Sequence, residues 1–301
     1  MTIAITGATG FVGGRLLHYL QEQHRDIRAL ARRPMKAREG VTWVQGDLAD
    51  HAALDQLVVG CESVIHVAGV LNTPHAAGFE AGNVAGTTAI LAAATAAGVQ
   101  RFVHVSSLAA REPDLSLYGG SKSRAEALVR AGTLPFAIVR PPAVYGPGDR
   151  ETLDLFRMAS KGVVLLPPTG SLSLIHVDDL ARLLAALADP ASPAGLTVEP
   201  DDRTRGGFTH PEFAALLGEA VGKKVFALSA PQPLLRVGAA LDRFFRRGSA
   251  KLTPDRVAYF CHPDWVADPA LAPPAHLWQP AISTPAGLRD TARWYREQRW
   301  L

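Results

Sequence analysis

The chain has 301 residues and a formal net charge of +3, and 48% of its residues are hydrophobic. This apolar fraction supports a folded core and argues against a disordered chain. The excess arginines are grouped in a few places rather than along one face, and aromatic residues are sparse, so nucleic-acid binding is disfavoured. The length suits one large α/β unit, alone or with a smaller lobe.

The two cysteines, Cys61 and Cys261, belong to no C-x-x-C pair and no Cys/His cluster with ligand spacing. We therefore predict no metal site. Free thiols suit a reducing compartment, and the first apolar run, at 3–5, leads directly into glycines, so no signal peptide is expected. These features together predict a cytoplasmic location.

Short apolar or β-branched segments alternate with helical segments over the first half of the chain. Strands are predicted at 2–6, 27–31, 41–45, 63–67, 102–106 and 136–139, with helices at 11–23, 51–58, 79–97 and 117–131. Such alternation predicts parallel strands joined by right-handed crossovers. The expected fold class is a doubly wound α/β sheet of the Rossmann type, whose ligand crevice lies at the carboxyl ends of the strands.

Proline becomes dense after residue 140, and the alternation of strands and helices loosens. Further helices are predicted at 151–160, 178–188, 210–221, 232–247 and 284–297. We interpret 1–150 as a dinucleotide-binding domain and 151–301 as a smaller C-terminal substrate lobe. Within that lobe, 171–190 is expected to return to the first domain.

The segment 233–248 combines an apolar face with four arginines, at 236, 243, 246 and 247. A helix of this kind can lie on an acidic membrane surface or line the entrance for an apolar substrate. It can also pack its apolar face on the lobe and leave its basic face in water. The packed arrangement is the commoner one and is favoured here.

A glycine-rich segment follows the first strand and opens the first helix, with the sequence TGATGFVG at 6–13. Gly7 suits a tight turn, Gly10 leaves room for a pyrophosphate, and Gly13 lets the helix lie close to the sheet. Thr9, Phe11 and Val12 complete the predicted phosphate-binding segment. The helix then offers free N–H groups and the positive end of its dipole to the phosphates.

The end of the second strand favours NADP as the cofactor, with NAD as the alternative. NAD enzymes usually carry a carboxylate there, about 20 residues after the glycines. In this chain Asp26 precedes the strand, and the strand ends at Arg32 and Arg33 with Lys36 close behind. Guanidinium groups at this position suit a 2′-phosphate.

A phenol and an ammonium lie four residues apart in YGGSK at 118–122. On a helix, Tyr118 and Lys122 project from one face. A phenol with a pKa of about 10 is a weak acid/base at neutral pH, and an adjacent cation favours the phenolate. The preceding strand ends at Ser106 and Ser107, which places hydroxyl groups at the same edge of the sheet.

These motifs together resemble the extended short-chain dehydrogenase/reductases, also called the NAD-dependent epimerase/dehydratase family. The resemblance covers about residues 1–190, since the motifs occur in the order and spacing of the family. They are TGATGFVG at 6–13, GDL at 46–48, HVAG at 66–69, NVAGT at 83–87, HVSS at 104–107, YGGSK at 118–122, RPPAVYGPGD at 140–149 and IHVDDLA at 175–181. Among the branches of this family, the sequence most resembles the dihydroflavonol reductase and 3β-hydroxysteroid dehydrogenase branch.

The resemblance implies roles at the reacting end of the site. Tyr118 would be the general acid/base, and Lys122 would lower its pKa and hold the nicotinamide ribose. Ser107, with Ser106 beside it, would bind the substrate oxygen. Asn83 would brace the site rather than react.

The resemblance also implies contacts along the cofactor. Asp47 and Leu48 would border the adenine, and Ala68 and Gly69 would run past the adenine-side ribose. The backbone from Pro141 through Ala143 to Val144 would meet the nicotinamide carboxamide. Asp178 and Asp179, which follow a strand and open a helix, are expected to cap that helix and pack the lobe.

Three functions are weighed. The favoured one is hydride transfer between a nicotinamide and a carbonyl/alcohol pair of a small apolar or amphipathic substrate. A nucleotide-sugar epimerase or dehydratase is the alternative; Arg203 and Arg205 could meet a sugar pyrophosphate, but only ten residues separate Ser107 from Tyr118, and Leu108-Ala109 offers no acidic pair. A non-catalytic cofactor-binding subunit is disfavoured because Ser107, Tyr118 and Lys122 are all present. Whether the chain is a monomer or a homodimer stays open.

Overall fold

The computed structural model describes residues 1–73, 75–167, 169–235, 237–238 and 253–301. The chain divides into two compact units. The first comprises 1–141, 180–199 and 273–279, and the second comprises 142–179, 200–272 and 280–301.

The first unit is built on a sheet of seven parallel strands. These are β1 (Thr2–Thr6), β2 (Asp26–Ala31), β3 (Val41–Gln45), β4 (Ser63–His66), β5 (Arg101–Val105), β6 (Phe136–Val139) and β11 (Leu196–Val198). Their order is β11-β6-β5-β4-β1-β2-β3. The order reverses between β1 and β4, which is where a doubly wound sheet opens its ligand crevice. The predicted fold class is confirmed.

Several helices connect and cover these strands. They are α1 (Phe11–Glu22), α2 (His51–Val58), α3 (Ala76–Phe79), α4 (Gly86–Ala96) and α5 (Leu117–Ala131). Asp50 and Ser116 cap the starts of α2 and α5, since their side chains accept hydrogen bonds from the amides of Ala53 and Gly119. The helix predicted at 79–97 is divided, because a π-helical segment at Glu80–Ala85 lies between α3 and α4. A 3₁₀ helix at Leu108–Arg111 precedes α5.

One face of the sheet is covered by apolar side chains of α2 and α4. Leu54 and Leu57 of α2 and Ile90 and Ala94 of α4 join Phe102 of β5 in a single buried cluster. All five residues of β5 and all four of β4 are buried. Strands that are buried on both faces explain the continuous apolar runs of the sequence.

In the residues that the structure describes, the second unit contains short strands and several helices of its own. The strands are β7 (Ala143–Tyr145), β8 (Val163–Leu166), β9 (Ser171–Leu172), β10 (Leu174–His176), β12 (Phe208–Thr209), β13 (Phe226–Ser229) and β14 (Asp264–Trp265). The helices are α6 (Leu153–Ser160), α8 (His210–Val221), α9 (Pro254–Phe260) and α10 (Thr284–Glu297), and the division between the units falls within α7 (Val177–Leu187). Phe156, Phe213, Leu217, Leu288 and Tyr295 lie in its core.

The division differs from the boundaries drawn from the sequence. The first unit ends at Pro141 rather than at 150, because β7 pairs with β10 and not with the seven-stranded sheet. The returning segment is 180–199 rather than 171–190. It extends that far because β11, a strand of three residues, pairs with β6 and completes the sheet.

Most of the helix predicted at 232–247 lies outside the described residues. The four arginines at 236, 243, 246 and 247 also lie outside them. The membrane and substrate-entrance interpretations of the segment therefore stay predictions. In the part of the chain that the structure does describe, every helix is too short or too polar to cross a membrane.

A buried ionic cluster joins the carboxyl ends of three strands of the first unit to α5. Arg140, which follows β6, donates two hydrogen bonds of 2.8 and 2.7 Å to the carboxylate of Glu126 on α5. It also contacts Glu199, which follows β11, and Glu199 in turn contacts Arg111. The Ser106 hydroxyl donates to Glu126 at 2.6 Å. Both carboxylates are buried, so their charges depend on these partners.

Removing the arginine at the centre of this cluster should destabilise the fold strongly. Arg140→Met keeps most of the apolar stem but leaves the buried Glu126 short of its principal partner. We expect the free energy of unfolding, measured by urea titration, to fall by about 3–5 kcal/mol. Arg293→Met is the control, because Arg293 pairs with Asp290 in an exposed ion pair and its loss should cost less than about 1 kcal/mol. Equal losses in the two variants would contradict the prediction.

Candidate active site

The glycine-rich turn lies at the point where the strand order reverses. Gly7 follows β1 with φ +75°, and a Cβ there would lie 2.6 Å from the amide nitrogen of Ala68, which follows β4. A Cβ on Gly13 would lie 2.1 Å from the Gly7 carbonyl oxygen. Side chains at these two positions would separate the turn from β4 and from α1, so glycine is required by the packing itself.

The amino end of α1 suits the phosphates of a dinucleotide. Its N-cap residue, Gly10, has no side chain and provides no cap to the first-turn amides. Thr9 and Gly10 are exposed, and Phe11 and Val12 are half-buried. An open helix terminus with a glycine turn binds phosphate through N–H groups and the helix dipole. The residues present therefore fit the phosphates of a nicotinamide dinucleotide.

A surface depression lies at the end of β2 and β3, where the adenosine is expected. Arg32, Gln45, Gly46, Asp47 and Asp50 line this cavity of about 390 Å³. The two carboxylates are engaged locally, since Asp47 accepts a hydrogen bond from Ala49 N and Asp50 caps α2. Arg32 and Arg33 are exposed.

Leu48 lies at the amino end of α4. A Cβ on Gly86 would approach its Cδ1 to 2.6 Å, so the glycine of the NVAGT motif makes room for Leu48. This packing holds the backbone that follows β3 in place. The predicted adenine contacts of Asp47 and Leu48 stay predictions.

Two glycines bring the start of α5 against the 3₁₀ helix. A Cβ on Gly119 would lie 2.6 Å from the Ala109 carbonyl oxygen, and one on Gly120 would lie 2.9 Å from the Pro113 carbonyl oxygen. The glycines between Tyr118 and Lys122 therefore set how closely the helix approaches the residues after Ser107. Tyr118 is half-buried, and its ring centroid lies 6.1 Å from that of Phe79.

The Lys122 ammonium is buried at the end of β5. Its Nζ donates a 2.7 Å hydrogen bond to the carbonyl oxygen of Val105, and it lies 3.6 Å from the position of a Cβ on Gly69. Burial lowers the pKa of Lys122 to about 8, although the Glu126 carboxylate opposes that shift. A cation of this kind sits one helical turn after Tyr118, where it favours the phenolate.

The two serines after β5 have different partners. The Ser106 hydroxyl donates its hydrogen to the buried Glu126. The Ser107 oxygen accepts a 3.2 Å hydrogen bond from Ala109 N and caps the 3₁₀ helix. Among the described residues, no group accepts the hydroxyl hydrogen of Ser107, so this hydrogen is available to a substrate oxygen.

A chain of buried hydrogen bonds connects the end of β1 with the π-helical segment. The Ala68 amide donates to Thr6 Oγ1, which lies 2.6 Å from His66 Nδ1. His66 Nε2 lies 3.0 Å from Thr87 Oγ1, and that hydroxyl donates to the Asn83 carbonyl oxygen. Because the Thr87 hydrogen is committed to Asn83, His66 donates from Nε2 and accepts at Nδ1. The tautomer of His66 is therefore fixed by its neighbours.

Asn83 connects this chain to α5. Its side-chain amide donates to the Val70 carbonyl oxygen and to Ser121 Oγ, and its Oδ1 accepts from Val70 N at 2.7 Å. Ser121 then donates to the Tyr118 carbonyl oxygen. These contacts hold backbone rather than a reacting atom, as expected for a bracing residue. His66 lies in the HVAG motif, Thr87 in NVAGT and Ser121 in YGGSK. The motifs thus contain these positioning residues, but the sequence analysis assigns them no role.

The remaining predicted residues are distributed between the two units. The Pro141 carbonyl oxygen accepts from Leu108 N at the edge of the first unit. Ala143 and Val144 lie on β7 of the second unit, and their contact with a carboxamide stays a prediction. Asp179 accepts hydrogen bonds from the amides of Ala281 and Ile282 within the second unit, so it packs the lobe as expected.

The described residues contain no cluster of three or more His, Cys, Asp or Glu side chains suited to a metal ion. The site brings hydroxyl, phenol and ammonium groups together with an open helix terminus.

Comparison with known proteins identifies the family. The model of the NAD dependent epimerase/dehydratase family matches residues 3–196. A ceramide reductase of Caulobacter vibrioides is 40% identical over 311 residues, which cover 99% of this chain and 96% of that reductase. A 2-alkyl-3-oxoalkanoate reductase of Stenotrophomonas maltophilia is 28% identical and covers 96% of this chain and 98% of its own.

A solved structure shows the same fold. The human epimerase family protein SDR39U1, solved with NADPH, superposes with a TM-score of 0.77 at 18% identity, covering 97% of this chain and 99% of that chain. The chain therefore belongs to the NAD-dependent epimerase/dehydratase family, as the motifs predicted. The prediction of a nicotinamide-dependent oxidoreductase is confirmed by the reductases among its relatives.

Two stacked histidines are buried in the first unit. His66 and His104 have ring centroids 5.5 Å apart, and neither ring nitrogen of His104 has a hydrogen-bond partner among the described residues. Burial, reinforced by the charge of Lys122, lowers the pKa of His66 to about 3 and that of His104 well below its usual value. Below about pH 6.5 the unfolded chain therefore binds protons that the folded chain does not, and stability falls with the pH.

Removing one of the two histidines should remove about half of this acid dependence. From about pH 7.5 to about pH 5, each buried histidine should lower the free energy of unfolding by about 2 kcal/mol. His104→Leu, which also eliminates two unpartnered nitrogens, should lose about 2 kcal/mol less than the wild type in urea titrations at the two pH values. His276→Leu replaces an exposed histidine and should behave as the wild type does. The same acid dependence in all three proteins would refute this explanation.

Proposed function

We propose that this chain uses NADPH to reduce a ketone on a long-chain amphipathic lipid of the ceramide type. The carrying observation is that Ser107, Tyr118 and Lys122 are gathered around the end of β5 and the start of α5, in a chain that matches a ceramide reductase over nearly its whole length. Each of these side chains has a function in reducing a carbonyl group.

The surroundings of these side chains in the first unit support an apolar substrate. Leu117, which precedes Tyr118, is 49% exposed, and Leu71, two residues after Gly69, is 60% exposed. The Phe79 ring lies beside Tyr118. The short connection from Ser107 to Tyr118 begins with Leu108 and two alanines, all buried. A nucleotide sugar would need cations and hydrogen-bond donors where this surface offers alkyl groups.

The chain's own groups account for the proton and the orientation. The cofactor, when bound, supplies the hydride. Ser107 would donate a hydrogen bond to the substrate carbonyl oxygen and hold it beside Tyr118. The Tyr118 phenol would transfer its proton to that oxygen, which completes the alcohol. Lys122 would stabilise the resulting phenolate through its charge, since burial in a low dielectric strengthens that interaction.

The proposed cofactor, NADPH, rests on the glycine-rich turn and on the two arginines after β2. Gly7, Gly10 and Gly13 would admit the pyrophosphate to the backbone, and Arg32 with Arg33 would meet a 2′-phosphate. The first unit would bind the dinucleotide, and the second would supply contacts to the substrate. We infer a cytoplasmic location because Cys61 and Cys261, the two cysteines of the sequence, form no disulfide.

Turnover of a ceramide that carries a ketone tests the proposal. One NADPH should be consumed for each alcohol formed, followed by nicotinamide absorbance and by mass spectrometry of the lipid. Tyr118→Phe removes only the phenolic oxygen, so it should keep the fold and NADPH binding while turnover falls by roughly 10²–10⁴. If UDP-glucose is epimerised with no net loss of NADPH and the lipid ketone is left unchanged, the alternative function replaces this one.

Arg32→Ala tests the cofactor assignment. A charge-assisted hydrogen bond contributes about 1.5–3 kcal/mol, so the variant should bind NADPH roughly ten- to a hundred-fold more weakly and NADH almost unchanged. Arg38→Ala, which removes an exposed arginine six residues along the chain, is the control and should bind both cofactors as the wild type does. Equal binding of NADH and NADPH by the wild type would overturn the preference for NADP.

A further inference from the structure

The second unit has a two-stranded parallel sheet whose outer face is apolar and exposed. β8 pairs with β13 so that Val163 lies beside Phe226 and Leu165 beside Leu228. These four side chains are between 38% and 67% exposed. Parallel strands are almost always covered on both faces. An apolar outer face on such a pair therefore indicates a surface that something else covers.

The fold of the second unit does not require these side chains. The opposite face of β8 carries Val164 and Leu166, which are buried in the core with Phe156 and Leu217. Alternation along the strand sends the neighbouring residues outwards, where polar side chains would serve a water-exposed surface better. We name the four outward residues, Val163, Leu165, Phe226 and Leu228, the apolar sheet face.

Three lysines border one end of the apolar sheet face. Lys161 precedes β8, and Lys223 and Lys224 precede β13; all three are exposed. The Phe226 amide donates to the Gly162 carbonyl oxygen at 2.9 Å, which brings the starts of the two strands together. The sequence has no Asp or Glu at 155–167 or at 220–235. The border of the face is therefore cationic, with no carboxylate in these segments to neutralise it.

We propose that the apolar sheet face docks on an anionic lipid membrane. Apolar side chains that enter the interface, together with lysines that meet acidic headgroups, are the two contributions by which proteins bind such a surface. A second copy of the chain fits less well, because a two-fold contact presents the same patch from both copies, and these segments carry no carboxylate that could pair with the lysines. The inference rests on this surface alone and not on the proposed function. For a lipid substrate, docking would bring the enzyme to the membrane that holds it.

Sedimentation with vesicles tests the proposal on the full chain. One set of vesicles contains phosphatidylcholine alone, and in the other a third of the lipid is phosphatidylglycerol. The wild type should bind the anionic vesicles, bind the neutral ones much more weakly, and be released by salt. The double variant Phe226→Gln/Leu228→Gln should bind the anionic vesicles at least about tenfold more weakly.

Two further variants separate this face from general effects. Lys223→Gln/Lys224→Gln leaves the strands intact and should weaken binding by about fivefold per lysine. Val59→Gln replaces an apolar side chain of the first unit that is 60% exposed, and it should bind as the wild type does. The circular dichroism spectrum and the midpoint of thermal unfolding should be unchanged in all of these variants, which confirms that each one is folded.

Three outcomes would overturn the proposal. The wild type fails to bind anionic vesicles, or the sheet and lysine variants bind them as well as the wild type does. In the third, the wild type is a dimer that the sheet variant converts to a monomer, which would show that a second copy covers the face. Loss of ketone reduction without loss of vesicle binding would count against the proposed function and leave the docking surface intact.

Discussion

The geometry of the site depends on one continuous run of hydrogen bonds inside the first unit. It starts at Thr6 on β1, passes through His66 on β4 and Thr87 on α4, and reaches α5 through Asn83. Every group in this run is buried, so an unmade bond would leave a polar atom without water. The ends of β1 and β4 and the start of α5 are therefore held in one arrangement, and each of the three carries residues expected to meet the cofactor.

A second constraint is the burial of two charged side chains, Lys122 and Glu126, on the helix that carries Tyr118. The Lys122 ammonium has lost most of its water, and it is stabilised by the Val105 carbonyl oxygen and by the field of Glu126. Glu126 keeps its charge because, although burial by itself raises its pKa, hydrogen bonds from Arg140 and Ser106 bring that pKa below its usual value. Arg140 thus acts on Tyr118 only indirectly. It holds the negative charge of Glu126, which in turn stabilises the positive charge of Lys122.

Local signals explain which elements the sequence predicted well. The bounds of α2, α5 and α8 follow from caps at Asp50, Ser116 and Thr209, whose partners lie three residues away. The sequence predicts one helix over 79–97, since the contacts made by the π-helical segment are not local. Asn83 bonds to Val70 and to Ser121, which are 13 and 38 residues distant.

The missed elements share the same physical reason. β11 has three residues and is defined only by its pairing with β6, and α9 is a helix of seven residues in a proline-rich region. Within the site, Ser107, Tyr118, Lys122 and the glycines could be predicted from the sequence, because motif and spacing point to them. The contact between Arg140 and Glu199 could not be predicted, because the two residues are 59 positions apart and no motif links them.

The segment 108–111 follows Ser107 and forms the wall of the candidate site there. It is held at both ends, which would limit how the protein selects a substrate. Leu108 N bonds to Pro141 O, Ala109 N bonds to Ser107 Oγ, and Arg111 bonds to the buried Glu199. Gly119 closes the arrangement, because a side chain there would meet the Ala109 carbonyl oxygen. A wall with so many partners cannot move aside for a bulky polar group without breaking buried contacts. Under the proposed function, this wall would select by excluding bulky polar groups, and the alkyl chains of a lipid substrate would have to be accommodated away from it.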